Sequence, residues 1–570
     1  MNLTSPVNFR APSLARGAVA TTNDRTEERS IRWLLPLTLA MGALVRLALA
    51  FHQPLAIEAE GAEYAYIARS LLEGRGYVGS LEGGVQLLFP PLFPLLIAGV
   101  ASLGLDVETA GRLVAIVAGT LLIVPVYAIA RRLYQGRVAV LAAAIVALHP
   151  VLVHLSISVY SEGPFVALLL TAALFSLRCL HFASLRDAGL AGLFLGLAYL
   201  TRTEAAFYPL LVAAIFLLAG YRLRVPPRRV ALFAATVFGV FALVAAPYAV
   251  FLTVHTGSLR LEGKSALNLA MAERMNRGMS YVQASYGVSD DLREQGPILN
   301  VNTFIRTAPV ENRSLGSLLH SLALSARRNA PVIYDRFLCL AYGGPLTLLL
   351  IAFGLFGRPW NAERTLQEMV LLGFCGLLVV VLLAMNGVLH RYTFAALPFF
   401  AIWSARGIDE LAIWGLRTAA KNRLGAARLV WVPRTLRILI GTTLFALSAA
   451  GVGNISEFDS DRSSHLGARE AGRWLAGYRP GEKRVFDAEP TIAFYSRGTL
   501  LCLPWASSEV ALRYIAGKSP DFIILKGRLI RSWPFMQAWI DGGIPDARAR
   551  LVYARGQRPD EQLFIYEWRD

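Results

Sequence analysis

The chain has 570 residues, of which 55% are hydrophobic and 17% are charged, and its mean hydropathy is +0.49. This apolar fraction exceeds that of soluble domains, so the composition predicts a polytopic membrane protein. The net charge of +17 would suit nucleic-acid binding, but the basic residues lie in short clusters between apolar runs, as the positive-inside rule requires, and we expect no nucleic-acid partner.

The N-terminal region predicts a flexible cytoplasmic tail over residues 1–31, because it is polar and rich in helix breakers. The apolar run at 33–51 lacks a cleavage pattern and indicates a signal anchor that stays in place. Arg46 lies in its outer half, and two interpretations fit equally: a side chain that reaches the interface, or one near a substrate phosphate.

Further apolar runs approach the length of about 20 residues that a membrane helix needs. They lie at 109–130, 138–154, 165–177, 188–200, 205–220, 230–253, 340–356, 366–385, 393–414 and 438–452. The proline-rich run at 87–104 is compatible with a helix that lies on the membrane or dips into it. We therefore predict about eleven to thirteen transmembrane helices in a domain of residues 32–455.

Arginine clusters in alternate connections indicate which connections are cytoplasmic. The opposite, extracytoplasmic face then receives the long segments 52–108 and 254–336 and the region 456–570. That last region alternates helical and strand patterns and predicts a small α/β domain outside the membrane. It has no phosphate-binding or metal-binding motif, which favours a lid or an interaction domain. The chain is expected in the inner (plasma) membrane.

Residues 57–77 place three acids, Glu58, Glu60 and Glu63, directly after the first span. The pattern of 62–72 predicts a short amphipathic helix that holds Glu60 facing water, with Glu63 three residues on as its neighbour on the same face. Taken alone, three glutamates are more typical of a solvated helix than of a site.

The order of short motifs resembles the membrane glycosyltransferases of the C-type fold, in particular the branch of protein O-mannosyltransferases and the bacterial lipid A aminoarabinose transferase. The resemblance rests on EGAEY at 60–64 with the glycine-rich end at 74–77, FPPLFPLL at 89–96, the run 110–134, Ser161 with Glu162, GLFLGLAYLTRTEA at 192–205 and HRYTFAALPFF at 390–400. It covers most of residues 33–415. The usual Asp-Glu pair of this branch is replaced by Glu60 and Gly61.

This resemblance implies that Glu60 is the general base, with Glu58 or Glu63 in the place of the second acid. The donor would be a sugar on a polyprenyl phosphate, and the acceptor a hydroxyl of a glycolipid, glycan or protein. A single base without a covalent intermediate implies inversion at the anomeric carbon.

Other residues are candidates for substrate contacts. Arg391, with His390 and Tyr392, could bind the leaving phosphate or simply anchor the interface. Arg202 and Glu204 could serve the substrate or pair with each other. The remaining candidates are Tyr64 in the helix after the first span, Glu162 for a sugar hydroxyl or the acceptor, and Lys264 for the phosphate or as a solvated charge.

We expect no required cofactor, although a divalent cation could use oxygen ligands from Glu58, Glu60 and Glu162. The competing functions are a transporter or flippase of lipid-linked material, since charges within spans also mark translocation paths, and an assembly protein whose C-terminal domain binds a partner. The absence of two similar halves argues against the transporter.

Overall fold

The computed structural model describes residues 22–52, 55–57, 59–82, 84–308, 315–385, 387–421, 426–452 and 462–569. Most of the predicted tail, residues 1–21, and the candidate acid Glu58 lie outside these ranges.

The described residues before the C-terminal region are mainly helical. The helices are α1 Thr22–His52, α2 Ala59–Leu72, α3 Leu92–Ala101, α4 Val107–Leu121, α5 Ile123–Leu133, α6 Gly136–Leu148, α7 Pro150–Ile157, α8 Glu162–Phe182, α9 Leu185–Tyr199, α10 Tyr208–Arg222, α11 Pro227–Thr256, α12 Lys264–Asn276, α13 Tyr281–Tyr286, α14 Val301–Thr307, α15 Leu315–Leu338, α16 Gly344–Phe356, α17 Ala362–Ala384, α18 His390–Thr393, α19 Leu397–Lys421 and α20 Ala426–Val452. Short 3-10 turns occupy Thr203–Phe207, Leu340–Tyr342 and Phe394–Ala396.

Six helical segments of the described chain are long and apolar enough to cross a membrane, and eight are if the bent pairs α6 with α7 and α15 with α16 each form one span. The six are Trp33–His52, Val107–Leu133, Glu162–Phe182, Thr203–Arg222, Pro227–Thr256 and Ala362–Ala384. The chain is therefore a multi-pass membrane protein, while eleven crossings stay a prediction. Helix α3 has 10 residues, too few to span a bilayer at 1.5 Å per residue, as the prolines of 87–104 suggested.

Small residues let the helices of the core approach closely. Gly192 and Gly196 of α9 face α11, and a Cβ atom at Gly192 would lie 2.5 Å from the carbonyl oxygen of Val237. Close backbone contact of this kind is how membrane helices pack without a hydrophobic driving force. Because α9 runs directly into Thr201 and Arg202, this contact fixes the position of a candidate site residue.

Arg46 has neither of the roles that its sequence position suggested. Its side chain is fully buried and donates to the carbonyl oxygens of Gly42 at 3.0 Å, Ala147 at 2.8 Å and Val146 at 3.3 Å. The last two carbonyls end α6, where the chain bends by 52° into α7. The guanidinium therefore satisfies carbonyls that a helix end leaves without partners.

Replacing Arg46 with Met should destabilise the protein, because buried carbonyls left without donors cost about 1 to 3 kcal/mol each. We expect a lower midpoint of thermal unfolding in detergent than for the wild type. The exposed Arg186, changed to Met, is the matched control and should leave the midpoint unchanged. Equal midpoints for R46M and the wild type would contradict this role.

The C-terminal region forms a five-stranded mixed sheet. Its elements are α21 Arg462–Tyr478, β1 Arg484–Asp487, α22 Pro490–Ser496, β2 Thr499–Cys502, α23 Ser508–Gly517, β3 Phe522–Lys526, α24 Met536–Gly542, β4 Ala549–Arg555 and β5 Leu563–Trp568, with 3-10 turns at Gly527–Leu529 and Pro559–Glu561. The strand order is β2-β1-β3-β5-β4; β2, β1 and β3 are parallel, and β5 is antiparallel to both of its neighbours. All five predicted strands are present, which confirms the small α/β domain.

This sheet docks on loops of the helical part through backbone hydrogen bonds. The amide of Leu500 in β2 donates to the carbonyl of Ser80 at 2.7 Å, and the amide of Trp505 donates to that of Tyr286 at 2.7 Å. Val288 and Leu299 join the hydrophobic core of the sheet. The segments that follow α2 and α13 are therefore held by the C-terminal domain.

Candidate active site

Glu60 lies in the first turn of α2, beside Arg391 and Tyr392 of the short helix α18. Its Oε1 atom is 2.8 Å from Nη2 of Arg391, and the hydroxyl of Tyr392 donates to the same oxygen at 3.2 Å. The Glu60 side chain is 21% exposed, so a second molecule can reach it. Two residues 331 positions apart in sequence thus form one ion pair at the edge of the helical domain.

A second carboxylate, Glu162, joins two arginines. It is the first residue of α8, where Pro164 in the first turn favours a helix start and the helix dipole favours an acid. Its Oε1 lies 2.9 Å from Nη1 of Arg202 and 3.6 Å from Nε of Arg391. Arg202 also contacts Oε1 of Glu204 at 3.3 Å. The local pair that the sequence suggested therefore exists, but the shorter contact of Arg202 is to Glu162.

Aromatic rings enclose both guanidinium groups. The ring of Tyr392 is near both: its centre is 5.0 Å from the Cζ atom of Arg202 and 5.2 Å from that of Arg391. Tyr160 lies 5.0 Å from Arg391, and Phe165 lies 6.0 Å from Arg202. Rings at these distances hold the cations by cation–π attraction.

Opposite charges control the ionisation of Glu60. Burial alone would raise its pKa, but Arg391, Lys264 and Arg202 together hold the pKa below its usual range. Lys264, the first residue of α12, also lies over the ring of Phe89 at 5.6 Å. The side chain of Lys264 is thus part of the site rather than an isolated solvated charge, and Glu60 is a carboxylate at neutral pH.

A cavity adjoins this group of charges. Its polar wall is made by Glu162, Arg202, Glu204 and Tyr392. The Oε2 atoms of Glu162 and Glu204 are buried and have no hydrogen-bond partner in the described part of the chain. The rest of the wall is apolar and consists of Phe165, Tyr208, Leu378, Val381, Leu382, Met385 and Ala395. Such a cavity suits a ligand with a polar head and an apolar tail.

The prediction that Glu63 faces water beside Glu60 is wrong. Glu63 is 2% exposed and accepts from the amide of Ser80 at 3.0 Å, from the Ser80 hydroxyl and from Nε2 of Gln86 at 2.8 Å. Burial raises its pKa despite these donors. The reason is that α2 is buried all round from Gly61 to Ala68, so Glu63 holds the loop that follows α2.

Two further candidates, Tyr64 and His390, are buried. Tyr64 is 1% exposed, with its hydroxyl 3.1 Å from Oγ of Ser161 and its ring against Phe89 and Phe93. Burial and Arg336 lower the pKa of His390 to about 4. His390 is therefore neutral near pH 7 and adds no positive charge for a phosphate.

The acids around Glu60 are the candidates for ligands of a divalent cation. Within the ranges that the structure describes, no three His, Cys, Asp or Glu side chains are grouped as a metal site would require. Glu60 and Glu162 each contact an arginine, and Glu58 is not described. That no metal is required remains an expectation.

Two tyrosines near the site, Tyr160 and Tyr281, were not among the residues predicted from the sequence. Tyr160 precedes the Ser161 and Glu162 pair but ends an apolar run. Tyr281 begins α13 in the long segment 254–336. Burial raises the pKa of its hydroxyl, and the charges of Glu60 and Arg391 also act on it. The position of Tyr160 beside the Ser161 and Glu162 pair was an available clue, whereas Tyr281 adjoins no charged motif.

A protein-family model matches part of the chain. The model of the dolichyl-phosphate-mannose-protein mannosyltransferase family matches residues 89–250, from α3 into α11. The chain matches no curated protein sequence at a significant level. The matched stretch includes Glu162, Arg202 and Glu204 but neither Glu60 nor Arg391.

Comparison with solved structures identifies the fold. The archaeal oligosaccharyltransferase AglB from Archaeoglobus fulgidus, in complex with an inhibitory peptide and a dolichol-phosphate, has a TM-score of 0.58 at 14% identity over 94% of this chain and 74% of that one. ArnT from Cupriavidus metallidurans gives 0.55 in the apo state and 0.52 bound to undecaprenyl phosphate, at 14% identity, over 95% and 93% of this chain and 98% and 97% of ArnT. The predicted C-type glycosyltransferase fold is thereby confirmed.

Proposed function

We propose that this chain is a membrane glycosyltransferase that moves a sugar from a polyprenyl-phosphate donor to an acceptor hydroxyl, with Glu60 as the general base. The observation that carries the proposal is the partly exposed Glu60 carboxylate, 2.8 Å from Arg391, beside a cavity that joins Arg202 to an apolar wall. A base, a phosphate-binding cation and a lipid-compatible wall are the parts that such a transfer needs.

The donor phosphate would bind between Arg391 and Arg202. Guanidinium groups make paired, charge-assisted hydrogen bonds to phosphate, and the rings of Tyr160 and Tyr392 keep them in place. The apolar end of α17, which lines the cavity through Leu378 and Leu382, suits the first isoprene units. The solved relatives support this choice, because AglB was observed with dolichol-phosphate and ArnT with undecaprenyl phosphate.

In the transfer step, the acceptor oxygen forms a bond to the anomeric carbon while the bond from that carbon to the phosphate oxygen breaks. The phosphate leaves with the electron pair, and its charge is stabilised by Arg391 and Arg202. Glu60 takes the proton of the acceptor hydroxyl. One displacement inverts the anomeric configuration.

Arg391 links the two halves of this reaction, because it contacts Glu60 in the structure and would also contact the phosphate. A phosphate bound to Arg391 competes with Glu60 for the guanidinium. The positive charge of Arg391 then acts less on Glu60, so the pKa of Glu60 rises and its carboxylate becomes a stronger base. The base is thus activated when the donor is in place.

The sugar and acceptor contacts involve the acids of the cavity. The buried Oε2 atoms of Glu162 and Glu204 lack hydrogen-bond donors within the described chain, and sugar hydroxyls would supply them. The acceptor, a glycolipid, glycan or protein hydroxyl, would approach Glu60 from the extracytoplasmic face of the inner membrane.

The donor class is tested with the purified full chain in proteoliposomes. We expect consumption of a labelled polyprenyl-monophosphate sugar, with label appearing in an added extract of envelope glycolipids and glycans, and no consumption of a nucleotide sugar. Mass spectrometry of the products identifies sugar and acceptor together.

The same vesicles separate the enzyme from a flippase. A flippase would move the labelled lipid between leaflets without changing it, as measured by its accessibility to a water-soluble reagent. Movement without any labelled product, or turnover of a nucleotide sugar alone, would overturn the proposal.

A further inference from the structure

Four arginines lie around the short helix α22, which packs against both α2 and α21: Arg69, Arg469, Arg473 and Arg497, here called the arginine cluster. Arg69 donates from Nη1 to the carbonyl of Phe494 at 2.9 Å, and its Cζ lies 4.3 Å from the centre of that ring. Arg473 lies 5.7 Å from the ring of Tyr495. Burial and the charge of Arg497 lower the pKa of Arg69, and the charge of Glu73 opposes them.

The arginine cluster carries positive charge that no ion pair to a described carboxylate neutralises. None of its members forms an ion pair with a carboxylate among the described residues. The two acids at its edges are taken by other arginines: Glu108 pairs with Arg112 at 2.6 Å and Glu73 with Arg75 at 2.7 Å. Like charges held together repel, so an anion bound between them would stabilise this arrangement.

The arginine cluster lies at the ends of membrane spans. Arg469 donates to the carbonyl of Leu55 at 3.2 Å, and Arg112, near the start of the Val107–Leu133 span, donates to the same oxygen. The hydroxyl of Tyr495 donates to Oε2 of Glu108 at 2.9 Å and accepts from the amide of Ile57 at 3.0 Å. This edge of the C-terminal domain is therefore fixed at the level where lipid headgroups lie.

We propose that the arginine cluster is a binding site for the phosphate of an anionic membrane lipid, which joins the C-terminal domain to the bilayer surface. Arginine forks match phosphate oxygens in geometry and charge. A lipid headgroup, rather than a soluble phosphate, is the occupant because the site adjoins the ends of α1 and α4. The cluster contains none of the residues of the candidate active site, so this inference stands apart from the proposed function.

The test uses the full chain, purified in detergent, stripped of lipid and then supplied with equal amounts of phosphatidylglycerol and phosphatidylcholine. Native mass spectrometry gives the ratio of the two lipids bound. We expect an excess of phosphatidylglycerol for the wild type, and a fall of the ratio by about fivefold for each arginine replaced. The variants are R473Q/R497Q, which changes two exposed residues, and R69Q/R469Q/R473Q/R497Q.

The matched control is R531Q/R550Q, which removes two exposed arginines of the same domain outside the cluster and should keep the wild-type ratio. A wild-type ratio in R473Q/R497Q would overturn the site, and this double variant decides if the fourfold variant does not fold. An equal fall of the lipid ratio in the control would mean that net charge alone sets the ratio, and this result would also overturn the site. If millimolar inorganic phosphate displaces phosphatidylglycerol, the occupant of the cluster is a soluble phosphate and the proposal of a lipid site is overturned.

Discussion

Replacing Glu60 with Gln should lower sugar transfer about 100- to 10,000-fold, the range that a general base contributes. The amide cannot accept the proton of the acceptor hydroxyl, but it can still accept the hydrogen bond from Tyr392. Binding of the donor lipid should therefore change much less than turnover. The measurement is the rate of label transfer in proteoliposomes, with the affinity for polyprenyl phosphate measured on the same preparation.

Two further variants make this result specific. E60D keeps the carboxylate at a shorter reach and should retain more activity than E60Q, because it can still accept a proton. E73Q, at the exposed end of the same helix region, removes a carboxylate outside the site and should transfer at the wild-type rate. Transfer by E60Q at the wild-type rate would remove Glu60 from the mechanism.

Glu60 could be singled out from the sequence because the order of motifs identified the acid after the first span. The surroundings of that acid could not be predicted from the sequence. A helical wheel places residues three apart on one side, so Glu63 was predicted to share water with Glu60. In the structure α2 is covered on all sides near Glu63, and part of that cover comes from the loop at Ser80, which the C-terminal sheet holds. A local pattern does not contain such distant contacts.

The arginines show the same limit. The predicted topology alone places Arg202, Glu162 and Arg391 at one face. Which of them touch could not be predicted, because Arg202 and Glu162 are 40 positions apart and their contact depends on how α8 and α9 pack. The local pair of Arg202 with Glu204 was predicted because the two residues are only two positions apart.

The fold was predicted further than the site. Apolar runs and strand patterns identified most helices and all five strands of the C-terminal sheet. Arg46 was misjudged because its partners are carbonyls at the end of α6, about 100 positions away, and a backbone carbonyl has no sequence signal. The positions of spans follow from composition, whereas bends and their partners follow from packing.

Replacing Arg391 with Gln should have the second large effect, a loss of transfer of about 100- to 1,000-fold, typical of removing one donor that stabilises a developing anion. Arg391 is the nearest cation to Glu60 and the first cause that holds its pKa down against burial. The variant therefore also alters the base. With the cation gone and burial unchanged, the pKa of Glu60 rises.

This second effect gives Arg391 a signature that a merely structural residue would lack. Transfer requires ionised Glu60, so the acid limb of the pH profile of kcat/KM should move to higher pH in R391Q, and activity at pH 5 should fall relative to that at pH 7.5 by more than in the wild type. R391K keeps the charge but loses the paired geometry, so it should lose activity without moving the limb as far.

An acid limb at the wild-type position in R391Q would mean that Arg391 does not control the ionisation of Glu60, whatever happens to the rate. A shifted limb with a wild-type rate at pH 7.5 would instead remove Arg391 from the phosphate and leave it as the partner of the base alone.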